Sequence, residues 1–190
     1  MNRIIRNATI LASIALVVRH FMQVSKVSGN SMFPELHDKD TLLVDKTAYE
    51  HASPQTGDVV VFDAPGTDHM LIKRIIGVPG DHIVIRDGTL WINGVLGNDD
   101  YTADGATDGN VDLVVPEGRY FVLGDNRLHS KDSRAAMVGC IPESSILGKV
   151  NIRLYPPGRV FAREVVSHEE PDTDEKLPDA EETASIAEQE

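Results

Sequence analysis

Two Asx-Gly dipeptides, Asp87-Gly88 and Asn93-Gly94, sit between short apolar runs and dictate tight hairpins there. Asp or Asn followed by Gly accepts positive φ at both central positions, which the two-residue β-turn requires. Ile83-Val84-Ile85 leads into the first turn, and Leu90-Trp91-Ile92 connects it to the second. The same punctuation extends from about residue 27 to 160. Residues 41–44, 58–62, 120–123 and 149–154 are short runs rich in branched and aromatic side chains, bounded by turn formers. No segment repeats at a fixed period. These features predict a mainly β, antiparallel domain.

The first thirty residues follow another rule. Arg3 and Arg6 precede an apolar stretch at residues 8–18, and Arg19-His20 closes it. A full membrane span needs about 20 apolar residues, so this core is short. Snorkelling of Arg6 and Arg19 toward the headgroups extends its reach. A cleavable leader has a core of similar size, but Arg19, His20, Phe21, Met22 and Gln23 stand where small residues would mark its cut. Residues 1–22 therefore read as a retained membrane anchor. Its orientation is weakly specified, since Arg3 and Arg6 are balanced by Arg19 and Lys26.

The formal charge of −12 is concentrated at the other end. Residues 164–190 hold eleven acidic side chains and one basic, Lys176, a net −10 that leaves the rest at −2. No basic face or nucleic-acid motif stands out, which argues against DNA or RNA as a partner. With Pro171, Pro178 and no aromatic residue, residues 163–190 read as a disordered acidic tail. The Asp- and Gly-rich residues 97–110 read as a solvated loop. An EF-hand starting at Asp100 fails, because Val111 stands where the twelfth-position Glu is needed. The seven histidines show no metal-ligand spacing, and no cofactor is implied. Cys140 is the single cysteine, so no intrachain disulfide forms; it reads as a buried strand end.

Three segments carry candidate chemistry. Ser31 lies in Gly29-Asn30-Ser31-Met32-Phe33-Pro34, where Gly29 permits close backbone approach and Pro34 stiffens the exit. Lys73 interrupts the apolar run Met70-Leu71-Ile72-Lys73-Arg74-Ile75-Ile76. On a strand, Lys73 and Arg74 point to opposite faces, so one of the two cations is expected inside. A buried lysine has a depressed pKa and serves as a base near neutrality. Lowering it by two to three pH units costs roughly 3 to 4 kcal/mol. The third segment runs from Gly124 through Asp125, Asn126, Arg127, His129, Ser130 and Asp132 to Arg134, a dense polar loop after an apolar strand. His129 and Asp125 keep a Ser–His–Asp arrangement available, although His129 has no environment that singles it out.

Together these segments resemble the bacterial type I signal peptidases in order and spacing. The nucleophile motif Gly-x-Ser-Met-x-Pro stands at residues 29–34, and the Gly-Asp strand opening at Gly57-Asp58. The lysine motif runs from Lys73-Arg74 to Gly80-Asp81, and the last is Gly124-Asp125-Asn126-Arg127 with Ser130, Asp132, Ser133 and Arg134. The likeness covers about residues 8–157. It implies Ser31 as nucleophile, Lys73 as general base, Ser130 holding the lysine amine, and Asp132 with Arg134 bracing the loop. The Ser31 N–H would form part of an oxyanion hole. It further implies a β catalytic domain at residues 23–162 with a small inserted β region near 84–115. Substrates would be secretory preproteins cut after small-x-small sites. The location would be the cell membrane, single-pass, with a cytoplasmic N-terminus, the catalytic domain outside, and membrane lipid and the export machinery as neighbours. Gly29 stands where some members carry a serine that supplies a second oxyanion donor. Glu35 replaces the usual threonine and is expected to bring negative charge near the site.

Two rival readings differ in class. A self-cleaving Ser–Lys repressor needs a DNA-binding domain, for which thirty residues leave no room. An inactive relative would bind exported chains without cutting them, yet every expected reactive residue is present.

Overall fold

The computed structural model describes residues 3, 5–10, 20–64 and 69–166. Twelve strands follow one another among these residues. They are β1 (Met22–Lys26), β2 (Thr41–Asp45), β3 (Val59–Asp63), β4 (Met70–Gly77), β5 (His82–Arg86) and β6 (Thr89–Ile92). After them come β7 (Val95–Leu96), β8 (Val111–Val114), β9 (Arg119–Leu123), β10 (Ile141–Pro142), β11 (Ile146–Tyr155) and β12 (Gly158–Arg159). The larger sheet has the order β1-β2-β11-β3-β4-β9-β10, with β12 added on β11. A four-stranded sheet, β7-β6-β5-β8, spans residues 82–114. Every pairing is antiparallel.

The small sheet is built on the two turns expected from sequence. Asp87 and Gly88 have φ of 51° and 82°, and Asn93 and Gly94 have 54° and 80°. Positive φ at both positions matches the strand twist, which is why these dipeptides set the register of β5, β6 and β7.

Alternation decides the core. On β3, Val59 and Val61 join one cluster with Met32, Leu36 and Leu42, while Val60 and Phe62 join another with Ile75 and Val122. On β9, Phe121 and Leu123 enter a third cluster with Ile83, Ile85 and Ile92 of the small sheet. Both faces of the central strands are thus covered, so their sequences read as continuous apolar runs rather than alternating ones. Phe62 and Phe121 are fully buried, each contributing about 2–3 kcal/mol of transfer free energy. Double-sided cover also corrects the expectation that only one of Lys73 and Arg74 turns inward. Both are buried, at 2% and 0% exposure.

Two further expectations change, and a third falls mostly outside the described residues. The chain stays within the fold past residue 163. Val165 is buried in the third cluster, its carbonyl accepts from Asn98 N–H at 2.9 Å, and Val166 bridges Gly97. The valine pair supplies the apolar surface that the neighbouring acidic composition conceals; the rest of the expected tail lies outside the described residues. Cys140 is half-buried beside β10 rather than fully inside. Most of the apolar stretch at residues 8–18 lies outside the described residues. Among those described, residues 3, 5–10 and 20–21 are helical, and no helix is long and apolar enough to cross a membrane.

Candidate active site

Ser31 sits in a turn after Gly29, whose φ of +90° favours glycine. β4 brings Lys73 to it across 42 residues of sequence, with Nζ 2.6 Å from Ser31 Oγ and 2.8 Å from the Ile72 carbonyl, to which it donates. Burial lowers the Lys73 amine from 10.5 to about 8, while the carboxylates of Asp132 and Asp125 pull in the opposite direction. A substantial fraction of the amine is therefore neutral near physiological pH and can accept the Ser31 proton.

The loop after β9 packs against this pair. Asn126 donates its backbone N–H to the Ser31 carbonyl at 3.1 Å and its side-chain amide to the Asn30 carbonyl at 3.1 Å. Asp132, fully buried, accepts from Gly124 N–H at 3.1 Å and from Arg134 Nε at 2.8 Å and Nη2 at 2.9 Å. Gly124 has no room for a side chain: a Cβ there would run into the Ser31 carbonyl and Ser130. Asp125 takes a bidentate pair from Arg74, Nε to Oδ1 at 2.8 Å and Nη2 to Oδ2 at 2.6 Å, with both side chains buried. Planar fork-to-fork geometry of this kind fixes orientation as well as charge.

Several sequence expectations take a different form here. The buried Ser130 Oγ has no hydrogen-bond partner among the described residues, so the expected contact with the Lys73 amine is not made. Gly29, which has no side chain to supply a second oxyanion donor, gives its N–H to Asp38 at 2.9 Å. His129 Nδ1 lies 3.1 Å from Asn126 Oδ1, and the Ser31 hydroxyl faces Lys73, so no Ser–His–Asp triad forms. Glu35 brings no free charge: it accepts from Arg163 Nη2 at 2.8 Å and lies 4.0 Å from Arg74 Nη2. Gly57-Asp58 is structural, with Asp58 paired to Lys149 at 2.6 Å and accepting from Tyr49 at 2.9 Å. The expected solvated loop at residues 97–110 instead docks on the site: Asp99 and Thr107 accept from the buried Arg127. Tyr101, the one aromatic in that polar stretch, was the available hint.

A groove of about 500 Å³ opens beside the pair, lined by Met32, Val61, Leu71 and Ile72 together with Ser28 and Lys26. A serine hydroxyl hydrogen-bonded to a buried lysine, both lining one groove on a β scaffold, fits the serine peptidases that work without histidine. Residues 1–155 match the family described as signal peptidase, peptidase S26. Signal peptidase I of Bacillus amyloliquefaciens is 35% identical over 158 residues, which cover 77% of this chain and 81% of that one. Signal peptidase I T of Bacillus subtilis (strain 168) is 36% identical over 154 residues, covering 75% and 79%. A crystal structure of a signal peptidase I from Enterococcus faecalis V583 is 38% identical, covers 51% of this chain and 96% of that one, and has a TM-score of 0.43. The chain belongs to the signal peptidase family, peptidase S26, and is a serine peptidase.

Proposed function

We propose that this enzyme removes signal peptides from secretory preproteins, with Ser31 as nucleophile and Lys73 as the base that activates it. The observation that carries the reading is the 2.6 Å approach of a buried lysine amine to the Ser31 hydroxyl. The neutral amine accepts the hydroxyl proton as Oγ attacks the scissile carbonyl. The Ser31 N–H stabilises the tetrahedral oxyanion. Lys73, now an ammonium, gives that proton to the departing amine, and the signal peptide remains as an ester on Ser31. The same amine then deprotonates water, which hydrolyses the ester and restores the serine.

Small-x-small cleavage follows from a groove whose apolar walls lie close to Ser31: short side chains before the cut let the substrate backbone approach Oγ. In domain terms, residues 23–162 form the peptidase with an inserted β region near 84–115, behind an anchor at residues 1–22. That anchor crosses the cell membrane once, with its N-terminus in the cytoplasm and the catalytic domain outside. Support for lipid contact comes from an exposed apolar row across three strands, in which Val24 pairs with Leu43 and Leu43 with Ile152. Val24 and Ile152 are 62% and 44% exposed, and Phe21, where the chain enters β1, is 42% exposed. Such a contiguous patch marks an interaction surface.

The test is cleavage of a secretory precursor by detergent-solubilised protein, with the new N-terminus identified by mass spectrometry. Wild type should cut after a small-x-small site, and Ser31→Ala and Lys73→Met should not. No cut by folded wild type across several precursors would refute the reading.

A further inference from the structure

Residues 98–108 join β7 to β8 of the small sheet, yet Asp99, Asp104, Thr107 and Asp108 accept hydrogen bonds from the loop that packs on Ser31. Arg127 is the centre of that contact. Its Nη1 donates to Asp99 Oδ1 at 2.7 Å and to the hydroxyl of Thr107, itself fully buried. Thr107 in turn donates to Asp99 Oδ2 at 3.1 Å, which fixes the acceptor pair. Two flanking contacts repeat the pattern: Leu128 N–H donates to Asp104 at 3.2 Å, and Arg134 pairs with Asp108.

The other side of the same arginines faces the dyad. Arg127 Nε donates to the Gly124 carbonyl at 3.0 Å, and Arg134 holds Asp132, which holds the Gly124 N–H. Gly124 abuts the Ser31 carbonyl and Ser130. Polar contacts thus run from Asp99 and Thr107 through the buried Arg127 to Gly124, whose Cα packs against the Ser31 carbonyl. None of these strap residues lines the substrate groove. A device of this geometry affects the reacting atoms without touching the substrate.

We infer that residues 98–108 are a positioning strap, in which Asp99 and Thr107 hold Arg127 so that Gly124, Ser130 and Ser31 keep the register that cleavage needs. The inference rests on the reading of Ser31 and Lys73 as the reactive pair. A small displacement of reacting groups lowers turnover steeply, and a groove left intact keeps substrate affinity.

The full-length enzyme in detergent is assayed on a preprotein, with Thr107→Val, Thr107→Ser and Asp108→Asn beside wild type and Lys73→Met. Thr107→Val removes the hydroxyl at nearly constant volume. It should lower kcat by about tenfold to a hundredfold with KM held within about twofold, while Thr107→Ser restores most of kcat. Asp108→Asn, at an exposed carboxylate, cannot unfold the core and should lower kcat by about twofold to fivefold at constant KM. Wild-type kcat in folded Thr107→Val, an equal loss in the serine variant, or a loss confined to KM would overturn the strap. Should Thr107→Val fail to fold, unchanged kcat in Asp108→Asn would overturn it alone. Wild type that leaves the preprotein uncut would instead refute the assigned reaction, so the two failures are distinguishable.

Discussion

Replacing Lys73 with methionine should stabilise the protein while abolishing its activity. The magnitude follows from the environment of the amine. Each tenfold change in a protonation equilibrium is worth about 1.4 kcal/mol, so holding Lys73 at about 8 rather than 10.5 corresponds to about 3 kcal/mol. Between those two values the unfolded chain binds the lysine proton and the folded chain does not, so wild-type stability rises with pH across that window. Below pH 8 the full destabilisation is present; by pH 10.5 it is gone. Methionine has nearly the same length and no charge to desolvate. The gain of Lys73→Met over wild type should therefore be about 3 kcal/mol at pH 6–7 and should close as pH approaches 10.5. Urea unfolding of the two proteins across that range measures it, and subtraction cancels the titrating groups that do not interact with Lys73. A variant less stable than wild type at pH 6, or a difference that does not change with pH, would refute the claim that the amine is buried at an energetic cost.

Two other substitutions probe the scaffold behind the dyad. Asp125→Asn leaves the buried Arg74 guanidinium without its counter-charge and should cost about 3–5 kcal/mol, read from the urea midpoint; a loss under about 1 kcal/mol would show that the pair is not desolvated. Gly57→Ala places a Cβ against the Arg163 carbonyl at a φ of +89° and should lower stability by about 1–3 kcal/mol. An unchanged melting temperature would mean that the stretch near Arg163 does not pack there.

What could be read from sequence was whatever depends on neighbours along the chain. Asp87-Gly88 and Asn93-Gly94 specify their own turns, and the apolar runs specify their own strands, so the β architecture was legible. Ser31 and Lys73 were legible because their flanking residues form recognisable motifs. The burial of Arg74 was hidden, since its partner Asp125 is 51 residues away and alternation alone forbids two adjacent inward cations. The docking of residues 97–110 was hidden for a similar reason. Asp, Gly and Thr in a loop have the same composition whether they face water or an arginine, and Arg127 is what decides. Glu35 looked like a free charge until Arg163, 128 residues on, proved to neutralise it. Val165 and Val166 were masked by the acidic residues around them, although two valines are enough to complete a cluster that already contains Ile83 and Leu90.

The most direct test of the central claim is the pH dependence of single-turnover preprotein cleavage, where chemistry limits the rate. If Lys73 is the base, the rate should rise about tenfold between pH 7 and pH 9, with a midpoint near 8, and Lys73→Met should show no rise at all. A flat wild-type profile across that range, or a Lys73→Met enzyme that still cuts at the same bond, would contradict the account.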